Sequence, residues 1–120
     1  MKKVLIVDDA VTVRKYEKQV VESFGVEADE AINGLEALEK LMQQRYDLLF
    51  VDINMPKMTG YELLEEMRKN PELKHIPVVM ISTEAEKKDK INGYKVGANF
   101  YVVKPIRPET IKSLINLLVF

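Results

Sequence analysis

Four short runs in the chain are apolar almost without interruption, at residues 4–7, 48–51, 78–81 and 101–103. Runs of this length with no polar alternation suit strands buried on both faces, which is how parallel sheets read. A weaker strand over residues 26–31 alternates apolar and acidic positions, as an edge strand does. Between these lie segments of helical period. Val13, Tyr16, Val20 and Phe24 recur at i, i+3, i+7 and i+11 and predict the inner face of a helix over residues 11–24, with Gly25 behind it where a C-cap glycine belongs. Leu35, Leu38 and Met42, flanked by Ala37 and Leu41, predict a second helix opened by Asn33-Gly34. Leu63, Leu64 and Met67 predict a third, stopped by Asn70-Pro71, and a fourth is expected over residues 84–96. The last starts near Pro108, a favourable first-turn residue, and places Ile111, Leu114, Ile115 and Leu118 on one face.

The order is (βα)5. Such alternation with short connections predicts the α/β class: a doubly wound parallel five-stranded sheet with helices on both faces. With five strands the flavodoxin-like order 2-1-3-4-5 is the expectation. Residues 1–120 read as one domain, without linker or internal repeat. Eighteen Lys+Arg against nineteen Asp+Glu leave a formal charge of -1, so no overall electrostatic footprint for nucleic acid exists. Zero cysteines exclude a disulfide scaffold and a thiolate metal site, and one histidine, His75, excludes a multi-histidine one. His75 reads as a loop residue. No apolar run approaches the roughly 18 residues that a membrane span needs. The N-terminal apolar run meets Asp8-Asp9 too soon for a signal peptide. A soluble, cytosolic chain is expected.

In a sheet of this order, ligands bind outside the carboxyl ends of the strands, at the switch point between strands 1 and 3. Strand 1 runs into Asp8-Asp9, strand 3 into Asp52, strand 4 into Ser82-Thr83 and strand 5 into Lys104-Pro105. Those four strands are consecutive neighbours, so three carboxylates, a hydroxyl and a lysine converge on one edge. Any one of them alone is an ordinary cap or turn residue; four strand ends so furnished point to a site. Crowded carboxylates repel and ionise together only with a cation among them. Their oxygens are hard ligands, and Mg²⁺ suits them because it takes one or two carboxylates and keeps waters or phosphate oxygens. The glycines form no phosphate-cradling loop, so a nucleotide or flavin phosphate is not expected at the acidic strand-1 end. A carboxylate beside a divalent cation and a lysine can instead attack a phosphoryl group and become an aspartyl-phosphate. Asp52, on the central strand, is the best placed nucleophile.

Asp8-Asp9 after an apolar strand, Asp52 within the stretch from Val51 to Gly60 (VDINMPKMTG), Ser82, and Lys104-Pro105 after Gly97-Ala98 together resemble the receiver domain of two-component response regulators. The resemblance covers the whole chain and is to the single-domain, CheY-like kind. It implies that Asp52 accepts a phosphoryl group from the phosphohistidine of a sensor histidine kinase or phosphotransfer protein. It implies too that Asp9, Asp52 and the backbone carbonyl of Asn54 hold Mg²⁺, with Asp8 assisting through water, while Lys104 pairs with the phosphoryl group across an expected cis bond to Pro105. Ser82 is then the hydroxyl that moves to the phosphoryl oxygen. Tyr101 is the aromatic residue that turns inward, switching the helix 4–strand 5–helix 5 face for an unidentified downstream protein. Asn54 and Glu84 flank the attacking water and tune self-dephosphorylation. Catalysis is confined to the chain's own phosphorylation and dephosphorylation. Neither nucleic acid nor membrane is a direct partner, and no output domain is expected after Phe120. Lys90 and Leu114 stand where the chemotaxis type carries an apolar residue and a lysine, so the resemblance does not extend to a flagellar-motor partner.

Two other readings compete: a Mg²⁺-dependent phosphohydrolase, and a receiver-like interaction domain that takes no phosphate. The first wants acids two residues apart on the first strand, whereas Asp8 and Asp9 are adjacent; the second follows from loss of an acidic ligand or the lysine, and all are present. Arg14 and Lys15 fit either a solvated face or a docking surface. The fourth helix is weakly encoded, being polar over residues 84–90 and interrupted by Gly93, where a methyl group, if the site is helical with room for it, is expected to stiffen it.

Overall fold

The computed structural model describes residues 1–83 and 87–120. Among these run β1 (Lys3–Val7), α1 (Val11–Ser23), β2 (Glu27–Ala31), α2 (Gly34–Gln43), β3 (Leu48–Asp52), α3 (Gly60–Lys69), β4 (Val78–Ser82), α4 (Lys87–Lys95), β5 (Phe100–Val103) and α5 (Pro108–Leu118). The strands form one sheet in the order β2-β1-β3-β4-β5, with every adjacent pair parallel. The predicted α/β order therefore holds, with element ends moved by a residue or so. Residues 84–86 of the expected fourth helix lie outside the described residues.

Alternate residues of a strand face opposite sides of the sheet, and here both sides are buried. Leu5, Val7, Leu49, Val51, Val78 and Met80 face Ala37, Leu41, Leu63, Leu64 and Met67 of α2 and α3. Val4, Ile6, Leu48, Phe50, Val79 and Ile81 face Val21 of α1 and Ile111, Leu114 and Ile115 of α5. β2 at the sheet edge keeps only two of its five side chains buried, in accord with its alternating sequence. Local signals set the helix starts: Asn33 Oδ1 accepts from the Glu36 amide at 2.8 Å, Thr59 and Glu62 form a capping box, and Pro108 stands in the first turn of α5.

Two helices present a face other than the one their apolar periodicity indicates. In α1 the buried residues are Arg14, Glu17 and Val21, while Tyr16 is 38% exposed. Burial of Arg14 is supported by tertiary partners, because its guanidinium donates to the Asp8 carbonyl at 2.8 Å and to Glu30 Oε1 at 2.9 Å. In α2 the buried residues are Gly34, Ala37 and Leu41, while Leu35 and Met42 are 44% and 59% exposed. The smaller side chains bring that helix close to its neighbours: a methyl group added at Gly34 would stand 2.6 Å from the side chain of Met58. α4 is thinly anchored, with Gly93 buried and most of its other side chains in solvent.

Candidate functional site

The parallel register carries the chemistry to one edge. β1 is a buried apolar run that leads into Asp8, β3 and β4 are buried apolar runs that end in a polar residue, and pairing aligns the ends: Val7 lies opposite Val51, Asp52 opposite Ile81, and Ser82 opposite Val103. Asp8, Asp9 and Asp52 each direct a carboxylate oxygen to a place where these oxygens lie within 4.8 Å of one another. Asp8 and Asp52 are buried and Asp9 is exposed, so the cluster opens to solvent on one side. Lys104 reaches in from the end of β5, its ammonium 3.2 Å from Asp8 Oδ2 and 3.1 Å from Asp52 Oδ1. Its backbone is tied to the neighbouring strand by an amide hydrogen bond to the Ser82 carbonyl at 2.7 Å, and the Lys104–Pro105 bond is cis, as expected.

Two details hold the acids in place. Asp8 Oδ1 accepts from the Ala10 amide at 2.9 Å, while Arg14 grips the Asp8 carbonyl, so α1 fixes the turn that carries both acids. Beyond β3, the first residue of α3 packs directly on the Asp52 backbone. A methyl group on Gly60 would stand 2.7 Å from the Asp52 carbonyl, and only glycine permits that approach.

Burial, then the charge of Asp8, raises the carboxyl of Asp52 above the ordinary range, against the pull of Lys104. Burial alone would lower the Lys104 ammonium, but the hydrogen bond to Asp52 and the charges of Asp8 and Asp52 outweigh it and raise it. The cluster thus has more negative charge than one lysine neutralises. Crowded hard oxygen donors, open on one side, fit a small hard divalent cation.

The remaining predicted residues take distinct positions. Ser82 is fully buried at the end of β4, beside the acids in the strand order, and Asn54 is exposed in the loop after β3. Tyr101 is only 8% exposed, its ring lying against Gly93 of α4 and Met80 of β4. The condition set on a methyl group at Gly93 is not met: the site is helical but lacks the room, since the added carbon would stand 2.8 Å from Cδ2 of the Tyr101 ring. Glu84 lies outside the described residues. His75 is exposed in a turn, away from the strand ends. Arg14 belongs to neither of its expected surfaces; it is an internal strut, whereas Lys15 is exposed and pairs with Glu30 at 2.7 Å. Glu17 is a residue that hydropathy passes over: its carboxyl is buried on the inner face of α1, and the sequence signal that finds it is the i, i+3, i+7 spacing Arg14, Glu17, Val21.

A model of the response regulator receiver domain family matches residues 4–116 of the chain. The chain is similar to chemotaxis protein CheY-3 of Vibrio cholerae serotype O1, at 40% identity over 115 residues, covering 95% of this chain and 88% of that protein. Its fold is similar to the solved structure of the chemotaxis response regulator CheY4 of Vibrio cholerae, with a TM-score of 0.92 and 36% identity over 98% of each chain. It is similar as well to the Mn(2+)-bound form of response regulator Rcp1, with a TM-score of 0.82 and 30% identity, covering 100% of this chain and 94% of that one.

Proposed function

The chain belongs to the response regulator receiver domain family, and we propose that Asp52 is the residue on which it accepts a phosphoryl group and from which it releases it. One observation carries this reading: three carboxylates from two strand ends meet within 4.8 Å, and a single lysine bridges the innermost two. Asp52 stands at the end of the central strand, backed by the fixed backbone of Gly60. A carboxylate oxygen of Asp52 attacks phosphorus, the bond from phosphorus to the donor's histidine nitrogen breaks, and the imidazole leaves with the bonding pair. Lys104 leaves Asp52 for a phosphoryl oxygen, exchanging one charge-assisted hydrogen bond for another. Ser82, whose strand lies beside β3, supplies a hydroxyl to a second phosphoryl oxygen.

Asp9, Asp52 and the backbone carbonyl of Asn54 are the groups that would hold Mg²⁺, with Asp8 reaching it through water; bound there, the ion neutralises charge on the acids and the phosphoryl oxygens. The hard, crowded donor set supports this choice, and the likeness to a protein solved with Mn²⁺ supports a divalent ion. Asn54, exposed two residues beyond Asp52, orients the water that hydrolyses the acyl phosphate; Glu84 is assigned the same task on its sequence position alone. Receiver domains work with histidine kinases or phosphotransfer proteins, and such a cytoplasmic donor is the proposed partner here. The face formed by α4, β5 and α5 is the proposed surface for a downstream protein, with Tyr101, whose ring lies inward beneath Gly93, as its proposed switch residue. Nucleic acid and membrane are not proposed as partners; the charge is -1, and among the described residues no helix is long and apolar enough to cross a membrane.

The test is incubation with Mg²⁺ and acetyl phosphate followed by mass measurement of the intact chain. One added phosphoryl group, lost slowly and absent in Asp52→Asn, is the expected result. Repeated turnover of a phosphomonoester, or no adduct, contradicts the reading.

A further inference from the structure

Of the two charged residues that α1 turns inward, Arg14 is matched by the Asp8 carbonyl and Glu30. Glu17 differs. It is 2% exposed, and its Oε2 has no hydrogen-bond partner among the described residues. An unpaired buried polar group costs about 1–3 kcal/mol, which a leucine at the same place on the helix would not incur. Glu17 shares a cavity of about 290 Å³ with Tyr16, Thr83, Lys104 and Ile106, so the residue with the unpaired oxygen and the lysine of the acidic site border one space. An ammonium has three N–H donors, and that of Lys104 meets Asp8 Oδ2 at 3.2 Å and Asp52 Oδ1 at 3.1 Å. Among the described residues, one donor of that ammonium and one oxygen of Glu17 are thus without a partner, on two residues that border the same cavity.

We infer that Glu17 is a positioning residue for phosphoryl transfer to Asp52, acting through Lys104 by supplying the acceptor toward which the ammonium swings when it releases Asp52. The inference rests on the reading of Asp52 as phosphoacceptor. An ammonium hydrogen-bonded to Asp52 Oδ1 holds electron density that attack on phosphorus requires. Withdrawing it along a half-open, largely apolar cleft with no second acceptor on the protein would carry a desolvation cost. A carboxyl on the α1 side of the lysine lowers that cost. It also holds the ammonium close enough to return to the new phosphoryl oxygen. With acetyl phosphate as donor, the Asp52 oxygen–phosphorus bond forms, the bond from phosphorus to the acetyl oxygen breaks, and acetate departs with the electron pair; no proton is transferred. The groups that act on the Glu17 carboxyl are Asp8 at the end of β1, Lys104 beyond β5 and Asp52 at the end of β3. Burial first, with Asp8 and Asp52 added and Lys104 opposing, pushes it up to about 8.

The experiment follows adduct formation by intact mass in the whole chain, with Mg²⁺ and acetyl phosphate, from about pH 6 to about pH 9. The parent is expected to gain one phosphoryl group at a rate that rises as Glu17 loses its proton near pH 8. Glu17→Gln is expected to slow adduct formation about three- to tenfold and to flatten that rise, with Mg²⁺ affinity changed less than about twofold. Mg²⁺ affinity is read from unfolding midpoints with and without metal. Glu17→Asp keeps the charge one methylene farther off and is expected to recover part of the rate and the rise, which a packing role does not predict. If Glu17→Gln reacts like the parent or faster at every pH, the inference is overturned. If the parent forms no adduct, the receiver chemistry fails and the inference falls with it. Should Glu17→Gln not fold, Glu17→Leu carries the same test, and unslowed adduct formation overturns the inference.

Discussion

Gly93 is the place where helix propensity and packing predict opposite signs. On propensity alone, Gly93→Ala in the middle of α4 gains about 1 kcal/mol. The structure says otherwise. The added carbon would stand 2.8 Å from Tyr101 Cδ2 and 3.4 Å from both Tyr101 Cε2 and Met80 Sδ, whereas carbon pairs rest at about 3.5–4.0 Å. Overpacking of this size in a core costs about 1–3 kcal/mol. The ring can escape by rotating outward, but Tyr101 is 8% exposed, and returning about 100 Å² of ring to water costs about 2.5 kcal/mol at the usual coefficient. The two outlets are close in energy, so the substitution is expected to destabilise by about 1–2 kcal/mol net of propensity, with the Tyr101 ring more exposed. Urea unfolding gives the first quantity. Nuclear Overhauser contacts between the Tyr101 ring and the Met80 methyl give the second. A variant about 1 kcal/mol more stable than its parent, with the Tyr101–Met80 contact intact, would refute the reasoning.

Four further outcomes are expected. Asp9→Asn relieves crowding among three carboxylates and raises stability in EDTA, but loses most of the Mg²⁺ increment, about 2.7 kcal/mol for the parent at a hundredfold excess over Kd; unfolding with and without metal measures both, and full Mg²⁺ stabilisation of the variant contradicts the ligand assignment. The raised carboxyl of Glu17, at about 8, means the folded chain keeps a proton that the unfolded chain releases. The stability it contributes is whole below its unfolded pKa of about 4.5 and is lost as pH rises through about 8. That is a fall of about 3 kcal/mol between about pH 5 and pH 8, which Glu17→Gln is expected to remove from denaturation curves taken across the range; a parent curve without the fall would contradict it. Arg68 donates to the carbonyls of Gly97, Ile76 and Lys74 and to Asn99 Oδ1, so Arg68→Met is expected to cost about 2–4 kcal/mol in urea unfolding, and a loss below about 0.5 kcal/mol would show that these bonds contribute little. Asn54→Lys is expected to lengthen the life of the Asp52 phosphoryl adduct with little change in Mg²⁺ affinity, read from adduct decay; unchanged decay counts against a role for Asn54.

What hydropathy makes legible, and what it hides, follows from where each side chain's partners lie. The three central strands could be read because both of their faces are buried, so the whole run is apolar. Their polar ends could be read as a site because parallel pairing carries every carboxyl end to one edge. The inner faces of α1 and α2 could not be read in the same way. Arg14 is buried because the backbone carbonyl of Asp8, just beyond β1, and a carboxylate of β2 meet it, and hydropathy registers neither partner. In α2 the buried face is Gly34, Ala37 and Leu41 rather than Leu35 and Met42, because the helix meets its neighbours along its glycine, where an added methyl group would stand 2.6 Å from Met58. Gly93 looks like a helix defect until the ring of Tyr101, eight positions on and across a turn, is seen to occupy the space its side chain would need.

The same helix that departs most from its apolar pattern is the one that serves the acids. Along α1, Arg14 fixes the carbonyl of Asp8, and one turn later Glu17 borders the cavity of the lysine that bridges Asp8 and Asp52. Replacing either by an apolar residue would suit the core, since neither a buried charge nor a buried carboxyl with an unpaired oxygen adds net stability over a hydrophobic residue of similar size. A helix selected for packing alone would therefore carry two aliphatic residues there. Both departures instead stand on the stretch of α1 nearest the acidic strand ends, and Val21, one further turn along the same face, is apolar as packing prefers. The charged inner face of α1 is thus better explained by what the acidic edge requires, a fixed turn at Asp8 and a governed lysine at Asp52, than by the stability of the sheet it covers.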